Sequence, residues 1–385
     1  MYRRRPNEPV RELAARFLRS AVWPRRGFIG QFSHWLLRPA SVAYGAAVTL
    51  RNLAYDLGLL RVTRASIPVV SVGNLAVGGT GKTPVAQWLA RKLQERGWQV
   101  AVVLRGYGAQ VRGPVVVSKG RGPEVDARHA GDEAVLLAKT FTGGVIVSPE
   151  RASGVELAAG AGYDLAVLDD GFQHRALARD FDLVLLSGRL GALLPAGPLR
   201  EPYRSLARAH AVAVVDKGAS LRLLGPPRSA SGKPLFYIRL EPVALVESHG
   251  GRWQTQPLQE LSGRRVAVVT GIAEPEPFYA VLRQWEVQVA EVFEFADHHA
   301  YSAADWPVLS RSAQHVDCLV TTEKDLVKLE HFPFARGKLL AVRVEPVVER
   351  EEELLNLVES QVLRTHAPRG KFATHTNGGF RYGHQ

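Results

Sequence analysis

Residues 67–84 read Ile-Pro-Val-Val-Ser-Val-Gly-Asn-Leu-Ala-Val-Gly-Gly-Thr-Gly-Lys-Thr-Pro. An apolar run of strand character enters a glycine-rich loop and leaves through Pro84–Glu95, where Val85, Trp88, Leu89 and Leu93 share one helical face. Such a loop is built for a polyphosphate. Glycines let backbone N–H groups turn inward and approach the anion without Cβ clashes, and the following helix aims its N-terminal amides at the same charge. The cradle is Val77, Gly78, Gly79, Thr80, Gly81, Lys82, Thr83 and Pro84. Lys82 is expected on the β- and γ-phosphates of a nucleotide and the Thr83 hydroxyl on Mg²⁺. One position departs from G-x-x-x-x-G-K-[ST]: Ala76 stands where the first glycine belongs, and Gly78 and Gly79 supply the flexibility instead.

A phosphate cradle of this kind needs a carboxylate from a neighbouring strand for the hydrated metal. Leu165-Ala-Val-Leu-Asp169-Asp170-Gly171 offers two, at the carboxyl edge where open α/β sheets bind ligands. Other polar residues fall where loops at that edge are expected: Arg105-Gly-Tyr-Gly108, Gly131-Asp-Glu133, Phe172-Gln-His174, Arg200-Glu201 and Asp297-His-His299. Arginines suit phosphate, since a guanidinium matches two oxygens at once. Phosphoryl transfer to an alcohol also wants a carboxylate or histidine to deprotonate the attacking oxygen. Spacing alone does not choose that base.

The elements that must position these groups alternate. Strand-like runs at Pro68–Val72, Val100–Leu104, Val145–Val147, Leu165–Asp169, Leu183–Leu185 and Ala211–Val215 are separated by helical patterns, the grammar of a mostly parallel sheet covered on both faces. Near residue 216 the pattern breaks. Leu235–Val246 and Arg252–Gln256 flank the turn Ser248-His249-Gly250-Gly251, which predicts a hairpin. A second series follows, with strands at Val266–Thr270, Val287–Phe293 and Cys318–Thr322 and helices near Pro275–Trp285 and Ala303–His315. The fold class is therefore α/β: two α/β/α domains, the first of P-loop kinase type, joined by a β-ribbon. The expected division is 1–64 basic helical arm, 65–220 nucleotide domain, 221–260 linker, 261–365 second domain and 366–385 polar tail.

Composition fits that plan. The chain has 385 residues, 46% hydrophobic and 22% charged, enough for two cores. Its single cysteine, Cys318, has no internal disulfide partner, which suits a reducing compartment. Residues 1–64 hold twelve arginines against Glu8, Glu12 and Asp56, so they carry +9 of the +12 net charge. An arm of this kind calls for an anionic partner, phospholipid or nucleic acid. No signal peptide is expected. The uncharged stretch Pro39–Leu50 has twelve residues, where a spanning helix needs about 20. Ala43, Ala46, Ala47, Leu50, Leu53, Ala54 and Leu57 recur at helical spacing after Phe28, Phe32, Trp35, Leu36 and Leu37, with arginines alongside. That predicts an amphipathic helix in a membrane interface, with another face free to pack on its own domain.

In these motifs the chain resembles the tetraacyldisaccharide 4′-kinases of lipid A biosynthesis. The resemblance runs over about residues 35–330 and rests on Gly73-Asn74, Val77–Pro84, Arg105–Gly108, Gly131–Glu133, Leu168–His174, Leu194–Pro202, Phe295–His299 and Thr321–Asp325. It implies ATP-dependent phosphorylation of the 4′-hydroxyl of an acylated glucosamine disaccharide 1-phosphate. It also implies attachment to the cytoplasmic face of the bacterial inner membrane through the N-terminal helix. Lipid, not nucleic acid, is then the anionic partner, and no obligate protein partner is evident. By the same resemblance Asp132 is the base, paired with His298 from the second domain. Asp169, Asp170 and Glu201 join Thr83 as metal-site residues, and Arg105, Tyr107, His174 and Arg200 are candidates for substrate or nucleotide contacts. The rival reading is a membrane-associated P-loop ATPase or GTPase switch. Against it stand Asp132 and His298, and the lack of an Asn-Lys-x-Asp guanine motif, since Thr322-Glu-Lys-Asp325 has the wrong spacing.

Overall fold

A computed structural model describes residues 2–4, 18, 22–23, 27–187, 191–216 and 230–366. The polar tail, except His366, lies outside the described residues, as do parts of the N-terminal arm and of the linker.

In the P-loop half, the strands are β2 (Val69–Asn74), β3 (Val100–Leu104), β4 (Val115–Lys119), β5 (Gly144–Val147), β6 (Leu165–Asp169), β7 (Phe181–Ser187) and β8 (Ala211–Asp216). They lie in the order β8-β7-β2-β6-β3-β5-β4, all parallel except the edge strand β4. Their near-continuous Val, Leu and Ala runs follow from burial on both faces. On one face sit α2 (Lys82–Glu95) and α4 (Asp132–Thr140), with Val85, Leu89, Leu93 and Leu137 fully buried. On the other sits α5 (Arg151–Gly160), which buries Val155 and Ala158 against Val69, Val103 and Leu168. The short helix α3 (Ala127–Ala130) immediately precedes α4.

The expected ribbon is β9 (Leu235–His249) with β10 (Arg252–Gln256), antiparallel. Its first strand belongs to both halves. Leu235–Arg239 pair with β8 in parallel, while Ile238–Glu247 pair antiparallel with β14 (Leu339–Val348). Beyond β14 the order runs β13 (Cys318–Thr322), β11 (Arg265–Thr270), β12 (Gln288–Glu294) and β1 (Tyr2–Arg4), so one hydrogen-bonded sheet of 14 strands crosses the molecule. Helices α6 (Glu276–Gln284), α7 (Trp306–His315) and α8 (Glu323–Leu329) cover this second half. The last helix, α9 (Glu351–Thr365), returns to the P-loop half. Its Leu354, Leu355, Val358 and Val362 enter the core that holds Val70, Val85 and Leu89. Ion pairs Lys92–Glu351 (3.0 Å) and Arg96–Glu352 (2.6 Å) line the same seam.

The N-terminal helix α1 (Gly27–Asp56) has 30 residues, about 45 Å. Its polar and small side chains face the protein: Ser41 Oγ donates to Leu193 O, Tyr44 Oη to Arg200 O, and Asn52 Nδ2 to Glu201 Oε2. Its apolar ones face outward, with Trp35 65% and Leu50 68% exposed alongside Phe28, Ile29, Phe32, Leu36, Val42 and Leu53. This reverses the polarity of a helix on an ordinary globular surface. Among the described residues, no helix is long and apolar enough to cross a membrane.

Candidate active site

The site forms where the carboxyl ends of β2 and β6 lie side by side, with Val72 opposite Asp169. That register brings the end of β6 to the start of α2, and the Thr83 hydroxyl donates to Asp169 Oδ2 at 2.6 Å. Gly81 caps α2 in the left-handed region (φ 80°), and a Cβ there would come within 2.8 Å of Leu240 Cδ1 on β9. Only glycine meets both demands. Asn74, at the end of β2, donates to Thr80 Oγ1 at 2.6 Å and receives a hydrogen bond from Arg200, which fixes the loop between them.

Two neighbouring acids have opposite electrostatics. Asp169 is buried, and burial together with the Glu133 and Asp170 carboxylates pushes it up to about 7 against the Thr83 hydrogen bond. Its Oδ1 has no hydrogen-bond partner. Asp170 also suffers burial, but the Arg200 fork at 2.8 and 3.0 Å and the nearby Lys82 outweigh it and hold its carboxyl below the usual range. Asp170 adopts a left-handed backbone (φ 57°), strain of about 1–3 kcal/mol for a non-glycine residue. Lys82 Nζ lies 3.9 Å from Asp170 Oδ1, and burial pulls its ammonium down.

Asp132 opens α4 beside this cradle. The preceding Gly131 (φ 87°) passes the Arg105–Gly108 loop so closely that a Cβ would sit 2.9 Å from Tyr107 O. From the other half comes His298, in the loop after β12, with Nδ1 3.8 Å from Asp132 Oδ2. Its backbone is also left-handed (φ 61°), and its ring lies against that of Tyr107, centroids 4.9 Å apart. Burial raises Asp132, yet His298 and the Lys328 ammonium bring its carboxyl below the ordinary value. Two residues 166 positions apart in the sequence thus meet across the cleft.

The other candidates divide. Arg200 is at the cradle. Arg105 is exposed and close enough to act on Arg151 and His174. His174 is pulled down to about 4 by burial and by Arg151, Arg179, Arg51 and Arg105, which keeps it neutral at physiological pH. Glu201 does not join the Thr83–Asp169 contact. It is buried under α1, where Asn52 and Arg208 both donate to its Oε2 at 2.9 Å. Several site residues carry no role in the sequence reading. Arg151 is buried and donates to Ser148 O and Asp169 O. On α8, Lys328 Nζ lies 3.4 Å from Asp132 Oδ2, and Lys324 Nζ lies 3.1 Å from His298 Nε2 and 3.6 Å from Glu133 Oε1. A signal for the lysines was present: Thr322-x-x-Asp325 is a helix cap, and lysines at 324 and 328 share a helical face.

Lys82 acts on Asp169 only from a distance, and no cation pairs with its carboxylate among the described residues, unlike Asp170 and Asp132. A buried carboxylate with a free Oδ1, a hydroxyl on its other oxygen and two acids nearby fits a divalent cation, hard and oxygen-seeking.

Comparison with known proteins identifies the family. Residues 33–363 match the family model for tetraacyldisaccharide-1-P 4′-kinase. The chain is 40% identical to the tetraacyldisaccharide 4′-kinase of Anaeromyxobacter sp. (strain K), over 87% of this chain and 93% of that one. It is 38% identical to the enzyme of that name from Halorhodospira halophila, over 87% and 95%. It also resembles the crystal structure of LpxK from Aquifex aeolicus in complex with ATP, with a TM-score of 0.73, 32% identity and coverage of 86% and 99%. The chain belongs to the tetraacyldisaccharide-1-P 4′-kinase family.

Proposed function

We propose that this protein transfers the γ-phosphate of ATP to the 4′-hydroxyl of a tetraacyl glucosamine disaccharide 1-phosphate, giving the 4′-phosphorylated lipid A precursor. The observation that carries the reading is the meeting of Asp132 and His298 beside a complete phosphate cradle, which a nucleotide switch does not need. In the transfer, the acceptor oxygen bonds to the γ-phosphorus as the bond to the β,γ-bridging oxygen breaks. ADP leaves, and the hydroxyl proton passes to Asp132, with His298 holding that carboxylate in place. Lys82 meets the charge on the transferred group, and Arg200 keeps Asp170 and Asn74 set around the loop.

Thr83 and Asp169 would hold Mg²⁺, with Asp170 close by; the ion supplies charge neutralisation on the phosphates. Glu201 serves better as the anchor of the segment under α1 than as a ligand. Arg105 and Tyr107, at the cleft mouth, suit the sugar phosphate. The nucleotide domain is 65–220 and the second domain 261–365, whose last described helix, α9, packs on the nucleotide domain. The outward apolar face of α1, with the arginines of the arm, supports peripheral binding to an anionic bilayer at the cytoplasmic face of the inner membrane.

The test is label transfer from γ-labelled ATP to the tetraacylated disaccharide 1-phosphate in detergent micelles. Label in the lipid, lost without Mg²⁺ and in Lys82→Ala, is the expected result. Label only in free phosphate would replace the kinase with the switch.

A further inference from the structure

We propose that Lys324 and Lys328 of α8 are positioning residues for the transfer: Lys328 aims and holds Asp132 as the carboxylate, and Lys324 fixes the tautomer of His298 that serves it. The inference rests on the reading of Asp132 and His298 given above.

The two lysines stand one turn apart on a helix opened by the Thr322 cap, whose hydroxyl accepts from Asp325 N. Lys328 is 9% exposed at its side chain, 3.4 Å from Asp132 Oδ2 and 3.2 Å from Asp325 Oδ1. Its Nζ makes no hydrogen bond, so three N–H groups are buried with ion-pair contacts alone. The ammonium also lies over the Tyr301 ring, 5.2 Å from the centroid. Asp325 is fixed in turn: it is fully buried and accepts from Gly271 N (2.9 Å), Thr322 Oγ1 (2.9 Å) and Tyr301 Oη (3.3 Å). A long flexible side chain is thereby pinned and pointed from one half of the molecule at the carboxylate of the other.

Lys324 acts on the histidine. Its Nζ contacts Asp297 Oδ1 at 3.2 Å and His298 Nε2 at 3.1 Å. An ammonium has donors and no acceptor, so Nε2 must present its lone pair. The single proton of the neutral ring then sits on Nδ1, the nitrogen that faces Asp132. The imidazole thus turns its N–H toward the base, 3.8 Å away, and keeps its lone pair on the side of Lys324. The charged and titratable groups facing Asp132 are Glu133 of its own helix, Lys324, Lys328 and Asp325 of α8, Asp297 and His298 of the loop after β12, and Tyr107 and Tyr301. Lys328 is the cation nearest its carboxylate.

The experiment is the pH profile of kcat for the full-length enzyme with ATP and the lipid acceptor, in wild type, Lys328→Met, Lys328→Arg and Asp132→Asn. It is joined by ¹⁵N NMR of histidine-labelled protein with His298→Gln as the assignment control. Lys328→Met should lose about 10- to 100-fold in kcat, part of what a positioned base contributes. The KM for ATP should stay near wild type, and the acid limb should move to higher pH. Lys328→Arg should restore the limb. The wild-type spectrum should show His298 protonated at Nδ1, and Lys324→Met should release Nε2 to protonate. Lys328→Met that loses activity with an unmoved limb would reduce Lys328 to a packing role. A proton on Nε2 in wild type would overturn the tautomer assignment without needing any variant to fold. Asp132→Asn with full activity would instead sink the reading on which this rests, an outcome separate from the other two.

Discussion

The Thr83 hydroxyl donates to Asp169 Oδ2 at 2.6 Å across 86 residues of sequence. The contact exists because β2 and β6 are neighbours in register, so the loop leaving one strand and the acid ending the other share the same crevice. It leaves Asp169 Oδ1 without a partner, in a place where burial and two other carboxylates disfavour its charge. Function and stability should therefore pull in opposite directions here.

Asp169→Asn tests that opposition. With Mg²⁺ and ATP the variant should lose at least 100-fold in kcat, the scale of removing a group aimed at transition-state charge. In metal-free protein at pH 8 it should melt higher than wild type, since an amide relieves a buried charge and each kcal/mol relieved moves the melting temperature by roughly 2–4 °C. Paired thermal melts in EDTA and in Mg²⁺ decide it. A variant less stable than wild type in EDTA would mean that Asp169 is a structural acid.

The outward face of α1 should matter to binding and not to folding. Phe32 and Trp35 are exposed, so Phe32→Asp with Trp35→Asp should change the unfolding free energy by no more than about 0.5 kcal/mol. The same pair should weaken partitioning into anionic vesicles at least tenfold, because each large apolar side chain buried in the interface is worth roughly 1.5–3 kcal/mol. Vesicle sedimentation alongside a chemical melt reads both. Unchanged sedimentation would remove α1 as the attachment surface.

How legible this was depended on how local each signal is. The cradle, its flanking strand and helix, and the Asp169–Asp170 pair follow from spacing within short windows, and each lies where the pattern put it. Asp132 and His298 needed the family resemblance, since nothing in the sequence reports a contact over 166 residues. Strands β4 and β14 and helix α9 fall outside the elements that the sequence pattern predicts. β4 is a short edge strand, and β14 carries Arg343, Glu345 and Pro346 in place of a continuous apolar run. The lysines of α8 are hidden for a different reason: Thr322–Asp325 invites comparison with a nucleotide-specificity motif, and the helix cap it forms does not by itself say which groups Lys324 and Lys328 meet.

Helix α9 should be necessary for the P-loop half, although it follows the last strand of the other. Leu355 is buried there against the core that backs α2. Leu355→Ala should cost about 2–5 kcal/mol, the range for a buried leucine that leaves a cavity. Chemical denaturation of the full chain measures it. A cost below about 1 kcal/mol would show that α9 is only lightly docked.

The last prediction concerns acid. Burial and four guanidinium groups pull His174 from its ordinary 6.5 to about 4 in the folded protein. Between those values the unfolded chain binds a proton that the folded chain refuses. By linkage, stability contributed at this residue is fully present above pH 6.5 and is lost as pH falls toward 4. His174→Gln keeps a polar side chain without titrating, so it should soften the acid-side decline. The melting temperature of the variant relative to wild type should therefore rise steadily from pH 7 to pH 4.5, whatever the offset at neutral pH. A difference that stays constant over that interval would mean that the imidazole takes up its proton in the folded state as readily as in the unfolded one, and the arginines around it are then better screened than their positions indicate.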